Sequence, residues 1–183
     1  MLRQVADLIG YDIHAKDGNI GEAKDLLFDD QRWTVRYLVV DTIKWLPGRK
    51  VLVRPGSLHQ PDWDKHRFPV DLTKDEVKAS PPLSADQPVS RQHETDLHKH
   101  FGWHPYWMSR SPGDRAVQPG QEVNVPPEPE MMPESESRRD ADAHLRSAKE
   151  VMGYDLVDKD QQSGRVVDII VDDENWIVRY FTV

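Results

Sequence analysis

Thr34-Val35-Arg36-Tyr37-Leu38-Val39-Val40 decides the fold class. β-Branched and aromatic side chains suit a pleated, half-buried strand and lose rotamer freedom in a helix. Upstream, Asp29-Asp30-Gln31-Arg32 supplies a polar hairpin loop, so the segment from Ile20 to Phe28 becomes the preceding strand. Gly21 inside that segment predicts a bulge or a tight bend. Further back, Gly10 to Ala15 forms a short strand ending at the turn-rich Lys16-Asp17-Gly18-Asn19. Downstream, Pro47-Gly48 fits the centre of a type II turn. Lys50-Val51-Leu52-Val53-Arg54 is the next strand, and Pro69 confines a last one, Phe68 to Leu72, to a sheet edge. Five or six short strands with tight turns in about 70 residues predict a small barrel.

The same text returns later in the chain. Leu8-Ile9-Gly10-Tyr11-Asp12 reappears as Val151-Met152-Gly153-Tyr154-Asp155, and Trp33, Val35, Arg36 and Tyr37 reappear as Trp176, Val178, Arg179 and Tyr180. Lys16-Asp17, Gly21, Asp25 and Asp29-Asp30 meet Lys159-Asp160, Gly164, Asp168 and Asp172-Asp173 without a gap. About two-fifths of the positions from Leu8 to Val40 match those from Val151 to Val183. The spacing is far longer than a solenoid period, which points to a duplicated module. The second copy stops at Val183, so its remaining strands are expected either beyond this sequence or from another source; an open half-barrel invites pairing.

These stretches resemble the PRC-barrel family, named for the H-subunit of the photosynthetic reaction centre and shared with the C-terminal domain of a ribosome-maturation factor. The matching text is Leu8-Ile9-Gly10-Tyr11, Asp17 to Gly21, Leu27 to Asp30, Trp33 to Asp41 and Trp45 to Leu52. Pro88 to Glu94, Gly102-Trp103 and Tyr106-Trp107 are similar to stand-alone bacterial members. The resemblance implies a mainly β protein: a PRC-type barrel of five or six strands, short helices, a disordered linker and a partial second barrel. It implies a non-catalytic protein-binding or assembly module. The alternatives it carries are an H-subunit-like protein of photosynthetic electron transfer and an RNA-processing accessory of ribosome maturation. The H-subunit has a membrane-spanning helix before its barrel, and none is found here.

The expected organisation is a first barrel over 1–80, a short helix and aromatic cluster over 81–108, a linker over 109–142 and a partial barrel over 143–183. Thr73-Lys74-Asp75-Glu76 has capping-box form, and Ser90 caps a helix from Arg91 to about His100, ended by Gly102. Trp103, Tyr106 and Trp107 form a cluster that either packs on the barrel or faces a partner. From Ser109 onward Pro112, Pro119, Pro126, Pro127, Pro129 and Pro133 alternate with Glu128, Glu130, Glu134 and Glu136, a composition unable to offset its ordering entropy.

Composition narrows function. The 183 residues carry 24 Lys plus Arg against 32 Asp plus Glu, a formal charge of -8 with no segregated basic run, which disfavours direct nucleic-acid binding. The absence of cysteine excludes disulfides and thiolate chemistry and fits a cytoplasmic protein. No apolar run approaches a bilayer span or a signal-peptide core. His93-Glu94-Thr95-Asp96-Leu97-His98 superficially matches a zinc-protease motif, but its histidines are five apart and splay by roughly 140° on a helix. Asp96 and His100 could share a metal, with no third ligand dictated; the histidines are read as solvated. The acidic pairs Asp29-Asp30 and Asp172-Asp173 are assigned to turns and ion pairs with Arg36 and Arg179, with a weak cation site as the alternative. Nucleotide loops and nucleophile elbows are missing. The expectation is no enzyme, no cofactor, no resident metal and a filled barrel without a pocket. Protein binding or self-association is assigned to Trp33 with Arg36 and Trp176 with Arg179, aromatic and Arg residues being the usual interface anchors.

Overall fold

The structure is a computed structural model that describes residues 1–42, 45–47, 49–83, 89–108, 144–157 and 163–183. Gly48, Lys159-Asp160 and the proline-rich stretch 109–142 lie outside the described residues.

The protein is mainly β, with short helices against a curled half-barrel sheet. The first repeat contributes β1 (Leu2–Gln4), α1 (Val5–Leu8), β2 (Asp12–Ala15), β3 (Gly18–Asp29), β4 (Thr34–Asp41), β5 (Lys50–Val53) and β6 (Arg67–Pro69), followed by α2 (Lys74–Ala79) and α3 (Arg91–Phe101). The second contributes β7 (Leu145–Ser147), α4 (Ala148–Val151), β8 (Asp155–Val157), β9 (Ser163–Arg165), β10 (Asp168–Asp172) and β11 (Ile177–Thr182). One nine-stranded sheet runs β1-β10-β11-β4-β3-β2-β6, with β5 on β4 and β7 on β3; β8 and β9 form a separate ribbon. Pro69 sits on the terminal strand β6, where its missing N–H is tolerated.

Local chemistry sets these elements. At Gly21 the backbone takes φ 137°, and a side-chain carbon would run into the carbonyl of Asp41, so β3 bends there only because the residue is glycine. The capping box at Thr73 and Glu76 is formed, Ser90 Oγ accepts from the His93 amide, and Gly102 closes α3 in the left-handed conformation. On β4 the side chains alternate. Leu38 and Val40 join Ile13, Ile20, Leu26, Val51, Val53 and Phe68 in the inner core, whereas Tyr37 and Val39 join Leu27, Leu52 and Leu97 beneath α3.

The two repeats are exchanged. β1 pairs antiparallel with β10, Leu2 opposite Asp172 and Arg3 opposite Val171. β7 pairs with β3, Leu145 opposite Asp29 and Arg146 opposite Phe28. Each repeat thus lays its first strand on the other's long strand at equivalent positions, and the duplication extends back to Leu2-Arg3 and Leu145-Arg146. Asp168 accepts the amide of Ala6 and Asp25 that of Lys149, both at 3.1 Å, so each repeat caps the other's short helix. The strands β4 and β11 meet at one register pair, Thr34 opposite Ile177, which are themselves equivalent residues. A local two-fold relation passes between them.

Candidate functional site

Trp33 and Trp176 stand at this two-fold seam with φ 54° and 57°, a conformation rare for bulky side chains. Its cause is visible in the backbone. The Val178 amide donates to the Trp33 carbonyl and the Val35 amide to the Trp176 carbonyl, both at 2.7 Å. Each tryptophan turns its carbonyl onto the other repeat, and strain of about 1–3 kcal/mol at each is held by the joined strands. Trp33 stacks on Phe28 and meets Phe181 edge-on; Trp176 packs toward Phe68.

Arg36 and Arg179 are bulge residues. Leu27 faces Tyr37 and Phe28 faces Val35, which leaves Arg36 without an opposite; Ile170 and Val171 face Tyr180 and Val178, which leaves Arg179 without one. The bulge aims each guanidinium back at the first acid of its hairpin, Arg36 to Asp29 at 2.8 Å and Arg179 to Asp172 at 3.0 Å. The second acid of each pair reaches across the seam, Asp30 to Arg146 at 2.9 Å and Asp173 to Arg3 at 3.1 Å. Burial pushes the Asp29 carboxyl up, but hydrogen bonds from Arg36 and from the amides of Arg32 and Gln31 outweigh it and hold the group below its usual value.

A cavity of about 1000 Å³ opens beside the seam. The expectation of a pocket-free protein is corrected here: the barrel interior is filled, and the space lies outside it, where the exchanged N-terminus, the hairpin of the second repeat and the loop after β5 meet. Arg36 and Trp176 line it together with Arg3, Arg54, Trp63 and Tyr106, while Trp33 and Arg179 do not. Arg3 lies over Trp63 at 3.7 Å and Arg36 over Tyr106 at 4.0 Å. The cavity walls carry Trp63, Tyr106 and Trp176, and the charged groups mix Arg3, Arg36 and Arg54 with Asp173 and Glu174.

No protein-family model and no curated protein matches this chain.

The cavity floor rests on a buried polar network that the sequence reading did not assemble. Glu94 on α3 is fully buried; its Oε1 accepts from the hydroxyls of Tyr37 at 2.8 Å and Tyr106 at 2.7 Å, and its Oε2 pairs with Arg91 at 2.9 Å. His98, one turn on, places Nε2 2.8 Å from the Tyr37 hydroxyl. Because that hydroxyl spends its proton on Glu94, His98 is the donor, as the Nε2–H tautomer. Trp103, Tyr106 and Trp107 surround the imidazole, so the aromatic cluster packs on α3. The reading of solvated helix histidines is thereby corrected at His98, which is buried. The signal was present: Glu94, Leu97, His98 and Phe101 share one helical face. His100 meets the Glu76 carbonyl and Asp96 meets Gln92, so the two are engaged elsewhere.

Burial lowers the His98 pKa from 6.5, with the charges of Arg54 and Arg91 acting in the same direction. The folded state therefore binds fewer protons than the unfolded state below pH 6.5, and stability falls as pH drops. His93 and His14 are shifted the same way by burial. We expect a lower urea midpoint at pH 5 than at pH 7, and a smaller difference for His98→Gln, whose amide still donates to Tyr37. Equal pH slopes for the two proteins would show that His98 does not titrate in this window.

Proposed function

We propose that the chain is a non-catalytic assembly module of the PRC-barrel type, cytoplasmic, that binds a protein partner through its second repeat. One observation carries this reading. Tyr180 is 62 % exposed where its equivalent Tyr37 is 1 %, and Leu156 is 43 % exposed where its equivalent Ile13 is 0 %. Tyr154 is likewise exposed while Tyr11 is buried. These apolar side chains, whose counterparts are covered in the first repeat, are each exposed in the second, as interface residues are. The non-catalytic reading is supported by the ion pairs that engage Arg3 and Arg36 in the cavity and by the missing nucleophile and nucleotide motifs. Among the described residues no helix is long and apolar enough to cross a membrane.

The test is site-specific photo-crosslinking in the cells that naturally express the protein. A photoreactive residue at Tyr180 should give one discrete heavier adduct, and the same residue at exposed Lys99 on α3 should not. The same pattern from both positions, or no adduct from either, would remove the proposal.

A further inference from the structure

Three guanidinium groups line the cavity, and two of them are already balanced. Arg3 lies over Trp63 and 3.1 Å from Asp173, and Arg36 lies over Tyr106 and 2.8 Å from Asp29. Arg54 is the third. Its guanidinium carbon stands 5.7 Å from the centre of the Trp103 ring, and no carboxylate among the described residues pairs with it. Arg54 is half-buried and its nitrogens remain accessible to solvent. Glycine makes this placement possible: a side-chain carbon at Gly56 would come within 2.9 Å of Arg54 Nη2 and 3.0 Å of Nε. Arg54 and Gly56 both line the cavity. Aromatic surface completes the wall. Trp63 and Trp176 each pack against Phe68 with ring centroids 6.1 Å apart, and both indoles keep part of their surface open.

We infer that the cavity binds a small aromatic monocarboxylic acid, with Arg54 receiving the carboxylate and the indoles of Trp63 and Trp176 flanking the ring. A guanidinium meets a carboxylate through two parallel N–H donors, and such charge-assisted bonds are about twice as strong as neutral ones. Local charge fixes the class. Of the two acids on the wall, Asp173 is held by Arg3 and Glu174 is 83 % exposed, so Arg54 supplies one uncompensated positive charge. One carboxylate balances it. A phosphate dianion would bring a second negative charge beside Asp173 and Glu174. The volume of about 1000 Å³ admits an aromatic acid with room for substituents, small-molecule sites running from roughly 300 to 1000 Å³. Neither Tyr180 nor Leu156 lines the cavity, so the site goes beyond the assembly reading and does not depend on it.

The probe is sodium 2-naphthoate, titrated into the isotope-labelled full chain and followed by NMR. Saturable shifts are expected at the indole N–H groups of Trp63 and Trp176 and at the side-chain N–H of Arg54. Arg54→Gln should weaken binding at least about tenfold, through loss of the charge-assisted pair. Gly56→Ala should weaken it at least about threefold, because the added methyl group displaces the guanidinium from an exposed position without touching the core. The neutral 2-naphthamide should bind the unaltered protein at least about tenfold more weakly than the acid. Absence of saturable shifts with 2-naphthoate would overturn the inference, and so would equal affinity for the amide. Unchanged affinity in Gly56→Ala would do the same, which keeps the test decisive if Arg54→Gln fails to fold. Tighter binding of 2-naphthyl phosphate would overturn the assignment to a monocarboxylate. Shifts confined to Tyr154, Leu156 and Tyr180 would put the probe on the exposed face of the second repeat and remove the site.

Discussion

Leu8→Ala is expected to cost about 3 kcal/mol of stability, and the loosening is expected to surface first in β10, some 160 residues away in sequence. Leu8 is 2 % exposed on α1, so truncation removes several buried methyl and methylene groups and leaves a cavity. α1 lies against β10, and β1, which precedes it, is paired to β10 residue by residue. A gap beneath α1 therefore weakens the exchanged strand of the other repeat more than β2 and β3, which are held by each other and by β4. The equivalent change, Val151→Ala, removes less volume from a residue that is only partly buried, and about 1 kcal/mol is expected. Urea unfolding gives the two costs, and hydrogen exchange gives their location. Uniform acceleration across the sheet, or acceleration confined to β2 and β3, would show that α1 does not hold the second repeat.

The exchange explains which parts of the structure were legible in the sequence. The strands β2 to β6, the bend at Gly21, the caps of α2 and α3 and the edge position of Pro69 follow from local chemistry, because propensity, φ preference and side-chain reach act within a few residues. The exchanged β1, α1, β7 and α4 were not legible in the sequence. The duplication was legible as text from Leu8 to Val40, and the pairing of Asp29 with Arg36 and Asp172 with Arg179 followed from its repetition. The partner of Asp25 was not legible. Its carboxylate caps Lys149 of the other repeat, and Asp168 returns the favour at Ala6; nothing in either stretch specifies a ligand more than 120 residues away. The cavity was hidden for the same reason, since its walls come from the N-terminus, the loop after β5, α3 and the second hairpin, none adjacent in sequence. Of the proposed anchors, Arg36 and Trp176 reach it and Trp33 and Arg179 do not, because the local two-fold relation places equivalent residues on opposite sides of the seam.

Glu94→Ala is expected to cost about 3 kcal/mol and to release α3 from the sheet. The side chain is fully buried and accepts from two tyrosine hydroxyls while pairing with Arg91. Removing it leaves donors without an acceptor, and each stranded buried donor costs about 1–3 kcal/mol. Two effects limit the total. Arg91 is one-third exposed and can turn to water. Tyr37 can redirect its proton to His98 Nε2 once the imidazole takes its other tautomer, so the Tyr106 hydroxyl is the donor that loses its carboxylate acceptor. Glu94→Gln keeps an acceptor in place and sheds the buried charge, so it should cost about 1 kcal/mol or less. The ordering separates hydrogen bonding from charge: equal losses for Gln and Ala would mean that the carboxylate acts chiefly through Arg91. The local readout is tryptophan emission, because Trp103 and Trp107 pack against His98 on the same helix and become wetter if α3 detaches. A Glu94→Ala protein with unchanged emission and a loss below about 0.5 kcal/mol would show that Leu97 and Phe101 alone dock the helix, and that the polar network beneath the cavity carries none of the attachment.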